Sequence, residues 1–108
     1  RRAYEVYLKI APDDAAALHN YGLTLLSENS PAKAVAPLRD AIRRAPQNAD
    51  SYSALAVALI HTKDYAGAWN ALANGAAIAP TNTDILINQI LLQACLKDAG
   101  DKKHGKKK

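Results

Sequence analysis

The side chains that could bind a metal ion, apart from carboxylates, are three histidines and one cysteine. His61 and Cys95 stand 34 residues apart, a spacing that could place them on neighbouring helices of a repeat. A closed zinc site needs four ligands, and neither a third nor a fourth is evident near this pair. We therefore expect no metal site and no cofactor. The lone cysteine also excludes an internal disulfide.

Sequence motifs that indicate catalysis are missing. There is no glycine-rich phosphate loop, nucleophile elbow or His-Glu-x-x-His pattern. The serines and histidines are scattered, without the base and orienting group that a catalytic triad requires. We predict that this chain is not an enzyme.

The positive charge is confined to the end of the chain. The formal net charge is +4, but residues 1–100 carry nine basic and nine acidic side chains, so the excess comes from segment 101–108. This lysine-rich segment has no apolar residue to bury, and we expect a disordered tail. A neutral folded part has no field to attract nucleic acid or a membrane, so only the tail could contact anionic lipid or RNA, and only weakly.

No stretch approaches the roughly 20 apolar residues of a membrane span, and the first residues do not resemble a signal peptide. We expect a soluble protein and favour the cytoplasm. The missing initiator methionine indicates a fragment or a processed chain. Composition favours closely packed helices, because alanine is abundant and is the best helix former, while phenylalanine and methionine are absent.

The sequence contains an internal repeat, which predicts the elements that position these side chains. Pro12, Pro46 and Pro80 recur every 34 residues and separate two units, 15–48 and 49–82. Large residues of one unit align with large residues of the other, and small with small. The aligned pairs are Leu18 and Tyr52, Tyr21 and Leu55, Gly22 and Ala56, Leu25 and Leu59, Ala34 and Ala68, Leu38 and Leu72, and Ala41 and Gly75.

Each unit is predicted to be two helices joined by a tight turn. The i, i+3, i+4, i+7 spacing that begins at Leu18 is one face of a helix, which ends near Asn29. Ser30 and Pro31 then form an N-cap and a first helical position, and Pro37 should bend the second helix slightly. The caps expected for the later helices are Asn48, Asp64, and Asn82 or Thr83.

The order of large residues, small residues and proline in these units resembles the tetratricopeptide repeat family. The resemblance implies an all-α, right-handed α-solenoid of antiparallel helix pairs, with about six helices. It implies one domain over residues 1–100: a half repeat at 1–14, repeats at 15–48 and 49–82, and a terminal helix at 83–99. The small positions let neighbouring helices approach closely.

The resemblance also implies a concave groove lined by six positions of each first helix. These are Ala16, His19, Asn20, Leu23, Leu26 and Ser27; Asp50, Ser53, Ala54, Val57, Ile60 and His61; and Asp84, Ile87, Asn88, Leu91, Ala94 and Cys95. Asp50 and Asp84 are the only charged residues among them. A groove of this composition argues against the clamp with which some relatives bind a C-terminal carboxylate, because a buried anion must be paired.

Two ways of holding a partner remain open in this groove. Leu23, Val57, Ile87 and the other aliphatic positions suit an apolar segment or an amphipathic helix, although some of them could instead pack between neighbouring helices. Asn20 and Asn88 occupy the position that in some relatives forms an asparagine ladder along a peptide backbone.

The last helix is apolar on all sides from residue 85 to 96, which is typical of a helix covered on more than one side. We therefore expect an assembly interface at residues 83–98, where three coverings remain open: a second copy of the chain, which would make a homo-oligomer, a partner subunit, or further sequence. Its expected residues are Ile85, Leu86, Ile90, Leu92 and Leu96.

The favoured function is an adaptor or scaffold that binds a peptide or amphipathic helix of a partner protein. The first alternative is a structural scaffold that self-assembles through the last helix. The second is an accessory segment of a larger protein, such as a bacterial secretion or pilus-assembly protein or a glycosyltransferase.

Overall fold

Six helices account for the fold. The computed structural model describes the backbone of residues 2–105 and the side chains of residues 2–98. The helices are α1 (Arg2–Ile10), α2 (Ala15–Ser27), α3 (Pro31–Arg44), α4 (Ala49–His61), α5 (Tyr65–Ile78) and α6 (Thr83–Gly105). Since no strand occurs among the described residues, the expected all-α class and helix number are confirmed.

The turns inside the two repeats share one geometry. Asn29 and Lys63, which stand at equivalent positions, adopt left-handed φ angles of 62° and 66°. The N–H of Ser30 donates to the carbonyl oxygen of Leu25 at 2.8 Å, and the second repeat forms the equivalent bond at the same distance. This C-cap reverses the chain, so that α3 packs on α2 and α5 packs on α4.

Side chains cap the first turns of four helices. In each, an oxygen of an aspartate or asparagine accepts a bond of 3.0–3.1 Å from a backbone N–H of the first turn. The capping residues are Asp14, Asn48, Asp64 and Asn82. Ser30 precedes α3 as predicted, but its hydroxyl makes no capping bond. Pro31, whose φ is already helical, begins that helix instead.

Close approach of the helices depends on the predicted small positions. A Cβ added to Gly22 would lie 2.5 Å from Cγ of Leu38, and one added to Gly75 would lie 2.6 Å from Cδ1 of Ile85. Both distances are far below van der Waals contact. The two glycines therefore leave the space that the neighbouring leucine and isoleucine fill.

Burial is greatest in the middle of the molecule. Helix α4 contacts α2, α3, α5 and α6, and eight of its residues are buried. Helix α1 contacts only α2 among the described helices and has no buried residue. Its attachment includes the rings of Tyr4 and Tyr21, whose centroids lie 6.3 Å apart. The molecule is elongated, 56 × 29 × 18 Å, as expected for helices stacked in series.

Helix α6 continues to Gly105, beyond its predicted end at residue 99. Residues 101–105, which we expected to belong to a disordered tail, are therefore helical. Lysine is a good helix former and is favourable near a helix C-terminus. The prediction of disorder considered only the lack of apolar residues and did not include this preference. Residues 106–108 lie outside the described residues. None of the described helices is long and apolar enough to cross a membrane.

Candidate functional site

The first helices of successive units, α2, α4 and α6, lie side by side, since α4 contacts both of the others. Equivalent faces of the three helices form an open cleft of about 420 Å³, which we call the concave cleft. Every residue that lines it belongs to the groove positions expected from the sequence. The lining residues are His19, Leu23, Leu26, Asp50, Ser53, Ala54, Val57, Asp84, Ile87 and Asn88.

The floor of the concave cleft is aliphatic and partly exposed. Leu23 of α2 leaves 42% of its surface exposed, and Ile87 of α6 leaves 48%. Between them, Val57 of α4 is half-buried. Large apolar side chains on three neighbouring helices therefore meet solvent on one concave surface.

Hydrogen bonds between first helices hold this surface together. Nδ1 of His19 lies 2.9 Å from Oγ of Ser51, which joins α2 to α4. Nδ2 of Asn88 donates to Oγ of Ser53 at 2.7 Å, which joins α6 to α4. Ser51, Ser53 and Asn88 are all buried. Sequence reasoning missed Ser51, although a serine at a position occupied by Ala17 in α2 and Ile85 in α6 was a usable signal.

The asparagine ladder, which the sequence left open as one of two ways to hold a partner, is not assembled as a row. Asn88 lines the concave cleft, but it is only 7% exposed and its Nδ2 is bonded to Ser53. Asn20 is exposed and lines a different depression, between α1 and α2, together with Tyr4 and Tyr7. The two asparagines therefore face separate surfaces.

Seven other expected groove residues lie outside the lining of the concave cleft, three of them being Ala16, Ala94 and Cys95. Oγ of Ser27 donates to the carbonyl oxygen of Thr24, and Nδ1 of His61 lies 2.9 Å from the carbonyl oxygen of Val57. Both side chains thus bond to their own helix. The other two are Ile60, which packs partly buried against the core, and Leu91, which is 52% exposed on α6.

Acidic side chains provide the charge of the concave cleft. Asp50 and Asp84 both line it, both are exposed, and each stands in the first turn of its helix. Nδ2 of Asn82 lies 3.5 Å from Oδ1 of Asp50. The lining residues include no lysine or arginine. The charged edge is therefore negative, as the sequence indicated.

The predicted assembly interface is wrong at two of its five residues. Ile85 and Leu92 are fully buried, at 0% exposure, because they face the preceding repeat and belong to the core of this chain. Leu86 and Ile90 lie on the outer surface of α6 and are 44% and 66% exposed, whereas Leu96 lies on the same side as Leu92, one turn further on, and is 42% exposed. An all-round apolar pattern could not tell these two sides of the helix apart.

A polar contact between α1 and the start of α2 was also missed. The hydroxyl of Tyr7 donates to Oδ2 of Asp14 at 2.7 Å. This bond, together with the bond from the backbone N–H of Ala17, holds the pKa of Asp14 below its usual range. The same bond raises the pKa of Tyr7, because it stabilises the protonated hydroxyl beside a carboxylate.

His61 and Cys95, the pair with metal-type side chains, gain no third ligand. Within residues 2–98, no group of three histidine, cysteine, aspartate or glutamate side chains could hold a metal ion. The lysines of the tail lie outside the described side chains.

Comparison with known proteins identifies the architecture. A sequence model of the tetratricopeptide repeat matches residues 25–87. The crystal structure of MamA superimposes with a TM-score of 0.84 at 23% identity, over 89% of this chain and 56% of that one. The TPR2B domain of yeast Sti1, in its complex with pHsp70, superimposes with a TM-score of 0.75 at 26% identity, over 90% of this chain and 80% of that one. This chain thus spans little more than half of MamA. No protein of curated function is significantly similar to it in sequence.

Proposed function

The chain belongs to the tetratricopeptide repeat family, whose members are protein–protein interaction modules, and we propose that its concave cleft binds a segment of another protein. The segment is an apolar peptide or the apolar face of an amphipathic helix. The observation that carries the proposal is the partly exposed aliphatic floor, with Leu23 at one end and Ile87 at the other. Covering these side chains would release about 25 cal/mol per Å² of apolar area before the costs of association.

A preformed cleft supports the same proposal. The bonds from His19 to Ser51 and from Asn88 to Ser53 fix the three first helices to one another. The cleft is therefore ordered before a partner binds, so association costs less conformational entropy. The yeast Sti1 domain, solved as a complex with pHsp70, is a neighbour of the same fold with a bound partner.

The proposed role is non-catalytic. His19 and Ser51 form the only histidine–serine hydrogen bond among the lining and linking residues described above, and such a pair could in principle activate a nucleophile. Ser51 is only 1% exposed, however, so a substrate cannot reach its hydroxyl. We interpret this bond as a link between helices.

Peptide selection tests the proposal. The purified chain is used to select binders from a random peptide display library, and the selected peptides are titrated against variants. Leu23→Asp and Ile87→Asp should each weaken binding about tenfold or more, because a carboxylate replaces an apolar contact. Trp69→Asp is the matched control, since Trp69 is 47% exposed on α5 and does not line the cleft. Peptides that bind the wild-type chain and both cleft variants equally would overturn the proposal.

Self-assembly is a second candidate, favoured by the exposure of Leu86 and Ile90 on the outer surface of α6. If α6 associates with a second copy, light scattering should show an oligomer that Ile90→Glu converts to a monomer. Because Ile90 is 66% exposed, this variant leaves the core intact. A wild-type chain that stays monomeric up to high concentration would exclude self-assembly.

A further inference from the structure

We infer that the segment bound in the concave cleft carries lysine or arginine side chains beside its aliphatic residues, with the cations facing Asp50 and Asp84. The inference rests on the proposed function and adds the chemistry of the partner at the same site.

The two carboxylates form one feature of the cleft. Asp50 and Asp84 occupy equivalent positions of successive repeats, in the first turns of α4 and α6. Since α4 and α6 pack directly on each other, their axes are about 8–10 Å apart. Two negative groups on neighbouring helices therefore stand along one edge of the aliphatic floor.

No lysine or arginine lining the cleft offsets these carboxylates. The polar contact described at Asp50 is a weak one, 3.5 Å from the amide of Asn82, which leaves acceptor positions open on the carboxylate. An acidic segment or a free C-terminal carboxylate would be repelled at this edge, whereas a lysine or arginine would be attracted.

The aliphatic floor and the acidic edge of the cleft together define which side chains the partner should carry. Aliphatic side chains cover Leu23, Val57 and Ile87, and cations on one flank reach the acidic edge. The partner is therefore a basic amphipathic segment.

Selection with charge variants tests this inference. Peptides are selected in parallel on the wild-type chain and on the Asp50→Asn/Asp84→Asn variant, which keeps the shape of both side chains. Only peptides whose binding is lost with Leu23→Asp are counted, so that each binds in the cleft. We expect lysine and arginine to be enriched on the wild-type chain and not on the double variant. Asp40→Asn, on α3 and outside the cleft, is the matched control.

Titration of a selected peptide gives the expected magnitudes. Each aspartate replacement should weaken binding about two- to fivefold, as for an exposed ion pair, and 1 M salt should remove this difference. Replacing the lysines and arginines of the peptide with glutamate should weaken binding about tenfold or more.

Each contrary outcome has a distinct meaning. If cleft-dependent peptides show no cation enrichment, or bind the Asp50→Asn/Asp84→Asn variant equally well, the inference is wrong while the proposed function stands. If selection yields no peptide that depends on Leu23, both fail.

Discussion

At Gly22, packing leaves no room for even one methyl group. A Cβ at this position would meet the Cγ and Cδ2 atoms of Leu38 at 2.5 Å, and Leu38 is fully buried and cannot easily move away. Alanine is normally better than glycine in a helix by roughly 0.5–1 kcal/mol. The steric conflict opposes this gain, and overpacking typically costs about 1–3 kcal/mol.

We predict that Gly22→Ala lowers the free energy of unfolding by about 1–2 kcal/mol, because the steric cost exceeds the gain in helix propensity. Urea denaturation measures the change. The control is the same substitution in a Leu38→Ala background, where space is available and the alanine should be neutral or stabilising. An equal loss in both backgrounds would show that Leu38 is not the cause.

The bond between Tyr7 and Asp14 makes the start of α2 sensitive to pH. The pKa of Asp14 is lowered in the folded chain, so its contribution to stability is present above its unfolded pKa and is lost as pH falls through the folded pKa, below about pH 4. The pKa of Tyr7 is raised, so its contribution is present below its unfolded pKa, near pH 10, and is lost as pH rises through the folded value.

Tyr7→Phe should therefore move the pKa of Asp14 upward, toward its usual value, because the largest cause of the shift is removed. A pH titration followed by NMR at the Asp14 carboxyl carbon measures this change. Asp13 is adjacent in sequence, bonds to Arg44 at 2.8 Å and serves as the internal control. An unchanged Asp14 titration would mean that the Tyr7 bond is not formed in solution.

Helix α6 has a core side and an outer side, although both carry apolar residues. Leu92 is fully buried against the preceding repeat, whereas Ile90, two residues earlier, is 66% exposed. Two residues on a helix are separated by about 200°, so the two side chains point to nearly opposite sides. Both sides carry apolar residues, but a charged side chain introduced on the core side should destabilise the fold far more than one introduced on the outer side.

We predict that Leu92→Glu lowers the free energy of unfolding by about 4 kcal/mol or more, since it buries a carboxylate without a partner. Ile90→Glu should change it by less than about 0.5 kcal/mol, as is usual at an exposed position. Thermal unfolding monitored by circular dichroism compares the two variants. Similar losses for both would contradict the orientation of α6, and a large loss for Ile90→Glu alone would reverse it.

For the molecule as a whole, stability should vary along the stack. Each helix contacts only neighbours one or two helices away, so stability is a sum of local interfaces rather than the property of one central core. Helix α4 is covered by four other helices, while α1 contacts only α2 and buries no residue. Opening should therefore begin at α1.

Native-state hydrogen exchange should show the fastest exchange in α1 and the strongest protection in α4. Helices α2 and α5, which lie between these extremes in burial, should have intermediate protection. Equal protection of α1 and α4 would indicate that the chain opens as a single cooperative unit. That result would contradict the serial description of the fold.

The amino-acid sequence determined the repeating features. The recurrence of Pro12, Pro46 and Pro80 predicted the helix pairs, and the small side chains at Gly22 and Gly75 predicted where helices approach closely. The face of each first helix that lines the cleft followed from the resemblance to the tetratricopeptide repeat family, applied to these repeats. These features are periodic, and period and residue size can be counted along a chain.

Only the tertiary structure decided which apolar or polar side chain was covered. It placed Leu92 in the core and Ile90 outside, joined Asn88 to Ser53, and turned Asn20 toward α1. The reason is physical: helical periodicity gives the angle of a side chain around its own axis. Burial and hydrogen bonding depend on which neighbouring helix lies in that direction, and the amino-acid sequence alone does not determine this.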